Sequence, residues 1–205
     1  MKTNRFWRII RISLLVTMVV ALVVTLPIVK SGYDMYKEAI AQTSLVNRIE
    51  SLKNDSNYVT LKAIAPDFLS MVIESEDRMF YTHNGINLIS TARAMLKNVL
   101  AGSTVEGGSS ITQQLAKNMY FSFEKRYERK VAELFVAFDL EKVASKDEIL
   151  EMYCNIAYFG EGRYGIREAT LHYYDLEPIE ILTEQALVLV KTLKSPNYYN
   201  PNMEP

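Results

Sequence analysis

The sequence predicts a mostly α-helical domain carried behind one N-terminal membrane-spanning helix, and three observations lead there. Residues 12–29, ISLLVTMVVALVVTLPIV, hold no charge and are long enough as a helix to cross a hydrocarbon core of roughly 30 Å. Beyond them no segment alternates apolar and polar residues over more than a few positions, so strands should be few and short. Helix-start signals recur instead: Pro66 stands ahead of FLSMVIESE, and Ser110 with Gln113 forms an S-x-x-Q capping box.

Upstream of the apolar run stand Lys2, Arg5, Arg8 and Arg11 with no acid among them. The positive-inside bias therefore keeps residues 1–11 in the cytoplasm and sends everything after Lys30 across the membrane. AIA at 39–41 resembles a signal-peptide cleavage site, but it lies far beyond a run that is itself long for such a peptide. An uncleaved anchor over 12–29 is the better reading. Residues 30–57 are polar, helical in period until NDSN, and suit a juxtamembrane stalk, whereas 58–205 read as globular.

Of the 23 basic residues, five fall within residues 1–30 with no acid beside them, so the outer part is mildly acidic. That balance argues against a nucleic-acid partner, which needs a basic face. Cys154 is the only cysteine, so no intrachain disulfide forms, and nothing nearby is built to stabilise a thiolate. It reads as a small buried apolar side chain. With two histidines in the chain, ligands for a zinc site are too few.

Along the globular part, the helix opened by Pro66 sets Phe68, Leu69, Val72 and Ile73 as apolar positions and brings Glu74 and Glu76 to its C-terminal end. Carboxylates are disfavoured there by the helix dipole, which hints at another use. A second helix through NLISTARAMLKNVLAG ends near Gly102, and a third, ITQQLAKNMYF, places Gln113 and Gln114 a turn before Lys117. A fourth, KRYERKVAELFVAFDLEKVA, sets Arg129 and Lys130 a turn before Glu133; KDEILEMYCNIAYFGEGRYG, a helix through IREATLHYY, and IEILTEQALVLVKTLKSPNYYNP follow. The aromatics of MYFSF, residues 119–123, fit two readings equally: core, or side chains dipping into the membrane interface.

IESEDRMFYTHNG, residues 73–85, crowds Glu74, Glu76 and Asp77 between an apolar run and an aromatic pair. Such carboxylates are candidates for general acid or base work. Taken singly, each feature has an ordinary explanation: an ion pair from Glu76 to Arg78, a structural His83, a flexible Gly107–Gly108 loop, a solvated basic face over Lys125, Arg126, Arg129 and Lys130.

The order of several blocks together changes that balance. EDRMFYTHNG, residues 76–85, resembles the E-D-x-x-F-x-x-H-x-G signature of the peptidoglycan glycosyltransferases, glycosyltransferase family 51. These lysozyme-like domains, also found as the transglycosylase domain of class A penicillin-binding proteins, polymerise lipid II in bacterial cell-wall synthesis. GGSSITQQLAKN at 107–118 resembles the second motif, RKVAE at 129–133 the third, and EILEMYCNIAYFG and SPNYYNP the fourth and fifth. Five blocks in the family's order make coincidence a poor explanation.

The resemblance implies a general base at Glu76, which takes the proton from the 4-hydroxyl of the acceptor lipid II sugar. It implies a second essential glutamate at Glu133, orienting cations or holding a divalent metal ion such as Mg²⁺ or Mn²⁺. Lys117 and Arg129 match pyrophosphate contacts, with Lys125 a further basic counterpart; Ser109, Gln113 and Gln114 match donor-site polar contacts. Asp77, His83, Asn118 and Asn155 are supporting, with His83 and Gly85 in the turn that holds Glu76 toward the cleft. Implied partners are lipid II, the growing glycan strand, the membrane, and a transpeptidase or other wall-synthesis proteins. The implied location is the bacterial cytoplasmic membrane, with the domain on its outer side.

Ser110 stands where the family has threonine and Cys154 where leucine is common, both mild departures. Family members usually continue past the SPxxYNP region, whereas this sequence ends at Pro205. No S-x-x-K with K-T-G is present, so a monofunctional polymerase without crosslinking activity is expected. The rival readings are a lysozyme-like hydrolase and a non-catalytic member of a wall-synthesis complex.

Overall fold

The structure, a computed structural model, describes residues 2–103, 107–121 and 126–203. Among the described residues there are nine α-helices and no strand; one isolated bridge pairs Tyr158 with Tyr164. The helices are α1 (Lys2–Gln42), α2 (Leu45–Lys53), α3 (Pro66–Glu76), α4 (Leu88–Ala101), α5 (Ile111–Tyr120), α6 (Tyr127–Val143), α7 (Lys146–Ile156), α8 (Ile166–Tyr174) and α9 (Thr183–Lys194).

α1 carries the apolar run with its side chains exposed, as a lipid-facing helix requires. It does not stop where the run stops. Its last turns lie along α6, where Tyr33 and Tyr36 pack on Phe135 and Tyr36 Oη donates to Asp139 Oδ2 at 2.5 Å. α2 follows with Leu45 buried in the core and Ser44 as its N-cap. The packing therefore reaches back well before Tyr58, where the sequence pattern turns globular. Composition hid this because the contacts are made by amphipathic side chains with polar tips: Arg48 Nε donates to the Met119 carbonyl at 2.8 Å, and Tyr120 Oη to that of Thr43 at 3.1 Å.

α5 runs through the middle of the domain. Ser110 and Gln113 form both bonds of the capping box that starts it, and Ile111, Leu115, Ala116 and Met119 are buried. On them pack Val136, Ala137 and Leu140 of α6 and Ile149, Leu150 and Tyr153 of α7. α3, opened by Pro66 at its first turn, sends Phe68 and Val72 into the same core and lies against α9. Cys154 is buried there, and burial pushes its thiol up, out of thiolate range.

α4 is the exception. Of its apolar side chains Ala94 is buried while Leu88, Ile89, Met95, Leu96, Val99 and Leu100 are exposed. Of the MYFSF side chains, Met119 is core, Tyr120 and Phe121 pack half-buried against it, and Phe123 lies outside the described residues. Helical spacing alone could not separate the two, because α5 is enclosed by neighbours and α4 is not.

Candidate active site

Glu76 is the last residue of α3, and its carboxylate opens onto a cleft of about 1350 Å³. The three crowded acids separate cleanly. All three border the cleft, but Glu74 is exposed and takes Arg78 as its ion-pair partner at 2.6 Å, Asp77 is buried, and Glu76 is half-buried with neither of those fates. The ordinary explanation for Glu76, a pair with Arg78, thus belongs to Glu74.

Glu76 is held by an amide. Gln114 Nε2 donates to Glu76 Oε2 at 2.9 Å, and Tyr153 Oη donates to Gln114 Oε1 at 3.3 Å. Tyr153 is buried on α7, with its hydroxyl pushed well above the ordinary tyrosine range, chiefly by burial and then by the Glu76 charge. It therefore stays a neutral donor. Gln114 and Lys117, one turn apart on α5, both face the cleft.

Asp77 is a brace. His83 Nε2 donates to its Oδ2 at 2.8 Å, Asn87 Nδ2 to its Oδ1 at 3.0 Å, and the Ile111 backbone N–H to Oδ2 at 3.2 Å. One carboxylate thereby joins the end of α3, the N-cap of α4 and the first turn of α5, where a helix presents unsatisfied N–H groups and a positive dipole end. Gly85, at φ +85°, turns the chain so that its carbonyl accepts from Ser110 Oγ at 2.5 Å. His83 and Gly85 thus steady Asp77 and the start of α5, and reach Glu76 only through them.

Glu133 of α6 is fully buried at the cleft wall. Arg129 Nη1 lies 2.8 Å from its Oε1, an ion pair by distance that lacks hydrogen-bond alignment, and Lys130 Nζ donates to its Oε2 at 2.7 Å. Lys130 also donates to Ser109 Oγ at 2.7 Å, tying the loop before α5 to α6. A divalent ion on Glu133 would have to displace one of two cations and then sit beside the other. No group of three or more metal-ligating side chains occurs among the described residues. The donor set fits side-chain cations and does not fit Mg²⁺ or Mn²⁺.

Lys117 lines the same cleft as the two glutamates. Burial lowers its pKa, Glu133 pulls it back up, Arg129 and Lys130 lower it, and Glu76 raises it. That coupling places Lys117 in the fields of both carboxylates. The cleft thus combines a carboxylate held by an amide with a set of cations, two of which, Lys117 and Lys130, come from the helices that carry Gln114 and Glu133.

The structure brings Glu76, Ser109, Gln113, Gln114, Lys117 and Glu133 to this cleft. Gln113 is buried, with Oε1 accepting from the Ser110 N–H at 3.0 Å, so its visible work is capping. Arg129 stands behind Glu133 with 13% of its side chain exposed. Asn118 and Asn155 line a separate cavity of about 240 Å³, where Asn155 bonds both the N–H and the carbonyl of Val59. Lys125 lies outside the described residues. Cleft cations absent from the sequence-based site are Arg78, Lys130, Arg93 and Lys97 of α4, and Lys191 and Lys194 of α9. On α4 and α9 their four- and three-residue spacings mark shared helix faces, but spacing does not say which face meets the cleft.

Residues 42–205 match the family model described as Transglycosylase. The chain belongs to the transglycosylase family. It is 42% identical over 147 residues to penicillin-binding protein 1F of Bacillus subtilis (strain 168), covering 72% of this chain and 21% of that protein. It is 45% identical over 144 residues to penicillin-binding protein 2a of Streptococcus pneumoniae serotype 2 (strain D39 / NCTC 7466), covering 70% and 19%. With penicillin-binding protein 1A of Aquifex aeolicus (strain VF5) it shares 37% over 148 residues, covering 72% and 20%. The chain spans about a fifth of the length of these curated relatives. Among the described residues the strand-free helical architecture of this transglycosylase is that of a lysozyme-like domain, and the one long apolar helix there fits a single-pass membrane protein.

Proposed function

We propose that this transglycosylase polymerises lipid II into β-1,4-linked glycan with release of polyprenyl pyrophosphate, on the outer face of a bacterial cytoplasmic membrane. One observation carries the reading: the Glu76 carboxylate shares its cleft with Lys117 and Lys130, while the other carboxylates there are each engaged, Glu74 with Arg78, Asp77 with His83 and Asn87, and Glu133 with Arg129 and Lys130. A glycoside hydrolase pairs its base or nucleophile with a general acid because a sugar alkoxide leaves poorly. A pyrophosphate leaves well once its charge is met, so cations take the acid's place.

Glu76 removes the proton from the acceptor 4-hydroxyl, and that oxygen attacks the anomeric carbon of the donor glycan. The new C–O bond forms on the face opposite the α-linked pyrophosphate, whose C–O bond breaks, leaving a β linkage. Lys117 and Lys130 receive the leaving charge; Glu133 holds Lys130 and Arg129 in place for it. The exposed apolar side chains of α4 give the cleft a lipid-facing rim suited to a polyprenyl chain. A transpeptidase that crosslinks the product strands is the natural partner.

The test offers purified lipid II and finished peptidoglycan separately to the full membrane-anchored chain. Polymer from lipid II, lost in Glu76→Gln by a factor of about 10² to 10⁴ as for other general bases, supports the proposal. Soluble fragments released from finished peptidoglycan would make the chain a hydrolase instead.

A further inference from the structure

α6 has two working faces. At about 100° per residue, Glu128, Val131, Phe135 and Asp139 lie together on the face against α1, and Lys130 and Glu133 lie on the other, toward the cleft. The two helices run parallel, since Gly32 meets Val131 and the Glu128 carbonyl while Tyr36, further along, meets Asp139. At Gly32 they touch with no room for a side chain. A Cβ there would stand 2.5 Å from Val131 Cβ and 2.6 Å from the Glu128 carbonyl oxygen. The backbone oxygen cannot swing aside, so only glycine permits this register.

The register has a consequence in depth. Gly32 lies three residues beyond the end of the apolar run at Val29, about 5 Å of helix rise. The level of Gly32 is also the level of Arg129 and Lys130. A lipid pyrophosphate lies at that level too, just outside the hydrocarbon core.

We infer that Gly32 is a positioning residue: it locks α1 to α6 in the one register that holds the Lys130 and Arg129 cations, paired to Glu133, at the height of a membrane-bound pyrophosphate. α1 is thus a ruler as well as an anchor. The inference rests on the glycosyltransfer reading above and adds a constraint that reading does not contain.

The test compares two substrates on the full chain: long-chain lipid II in bilayers, and a short-chain water-soluble lipid II analogue with the protein in detergent. Two variants are used. Gly32→Leu breaks the notch, and insertion of Glu-Ala-Ala-Lys after Lys30 leaves the notch and the folded domain untouched while raising them by about 6 Å. The expected result is a fall of about tenfold or more in the bilayer rate of both variants, as misplacement near reacting atoms gives. The insertion variant keeps the soluble-substrate rate of the wild type. Equal losses on both substrates, or an insertion variant as active in bilayers as the wild type, overturn the ruler. A wild type inactive on both substrates overturns the glycosyltransfer reading, and the ruler with it.

Discussion

The amide of Gln114 stands 2.9 Å from the carboxylate of Glu76, and its orientation is set from behind by Tyr153. An ionised carboxylate only accepts, so the NH₂ of Gln114 must face Glu76 and its oxygen must face the tyrosine hydroxyl. This relay ties the proposed base to α7, which packs on α5 in the core, and keeps the carboxylate from swinging to a cation.

Removing the relay should slow turnover without abolishing it. Tyr153→Phe deletes one neutral hydrogen bond, about 0.5–1.5 kcal/mol, and Gln114→Ala deletes one to a charged group, about 1.5–3 kcal/mol. Expected losses in kcat are two- to tenfold and roughly ten- to a hundredfold, by the usual tenfold per 1.36 kcal/mol. The double variant should be no worse than Gln114→Ala, because Tyr153 acts through the amide. Initial polymerisation rates at saturating lipid II check this; additive losses would mean that Tyr153 acts independently.

Glu133→Gln should both inactivate and destabilise. The carboxylate is fully buried and neutralises Arg129, so removing its charge leaves a cation with 13% of its side chain exposed and no counter-charge from Glu133. Breaking a buried pair costs about 3–5 kcal/mol, and less is expected here because Lys130 keeps 42% exposure and can rehydrate. Denaturant unfolding measures it. Because these cations already occupy both oxygens of Glu133, EDTA should leave the wild-type rate unchanged; a rate lost in EDTA and restored by Mn²⁺ would show that the metal displaces one of them.

Lys117 should impose an alkaline limit on activity. Burial lowers its pKa below the ordinary lysine value of 10.5, with Glu133 and Glu76 only partly opposing. Between the lowered folded value and 10.5 the unfolded chain binds more protons at this site than the folded one. Over that window stability rises with pH while the leaving-group cation is lost, so polymerisation falls. Lys117→Arg, which stays charged, should remove the fall; a kcat/KM profile against pH decides.

Much of this was legible in the chain. A helix through the apolar run at 12–29, the capping box at Ser110 and Gln113, the stop at Gly102 and the helix through IREATLHYY all reappear in the structure, because each depends on neighbours within a turn or two. Glu76, Lys117 and Glu133 were reachable through the order of the motifs. Lys130 was in plain sight beside Arg129, and only its reach to Ser109 across the cleft wall distinguishes it.

The sequence by itself determined the helices, the apolar span and the residue types of the cleft, since propensity, capping and hydrophobic run length are local properties. Tertiary structure alone decided which partner each of three crowded acids takes, which apolar helix stays exposed, and that residues just beyond the apolar run are docked on α6. Those outcomes depend on contacts between segments as distant as Gly32 and Val131, or Glu76 and Gln114. Local pattern carries no information about such pairs, because burial and close packing are set by whatever the rest of the chain brings to the other side.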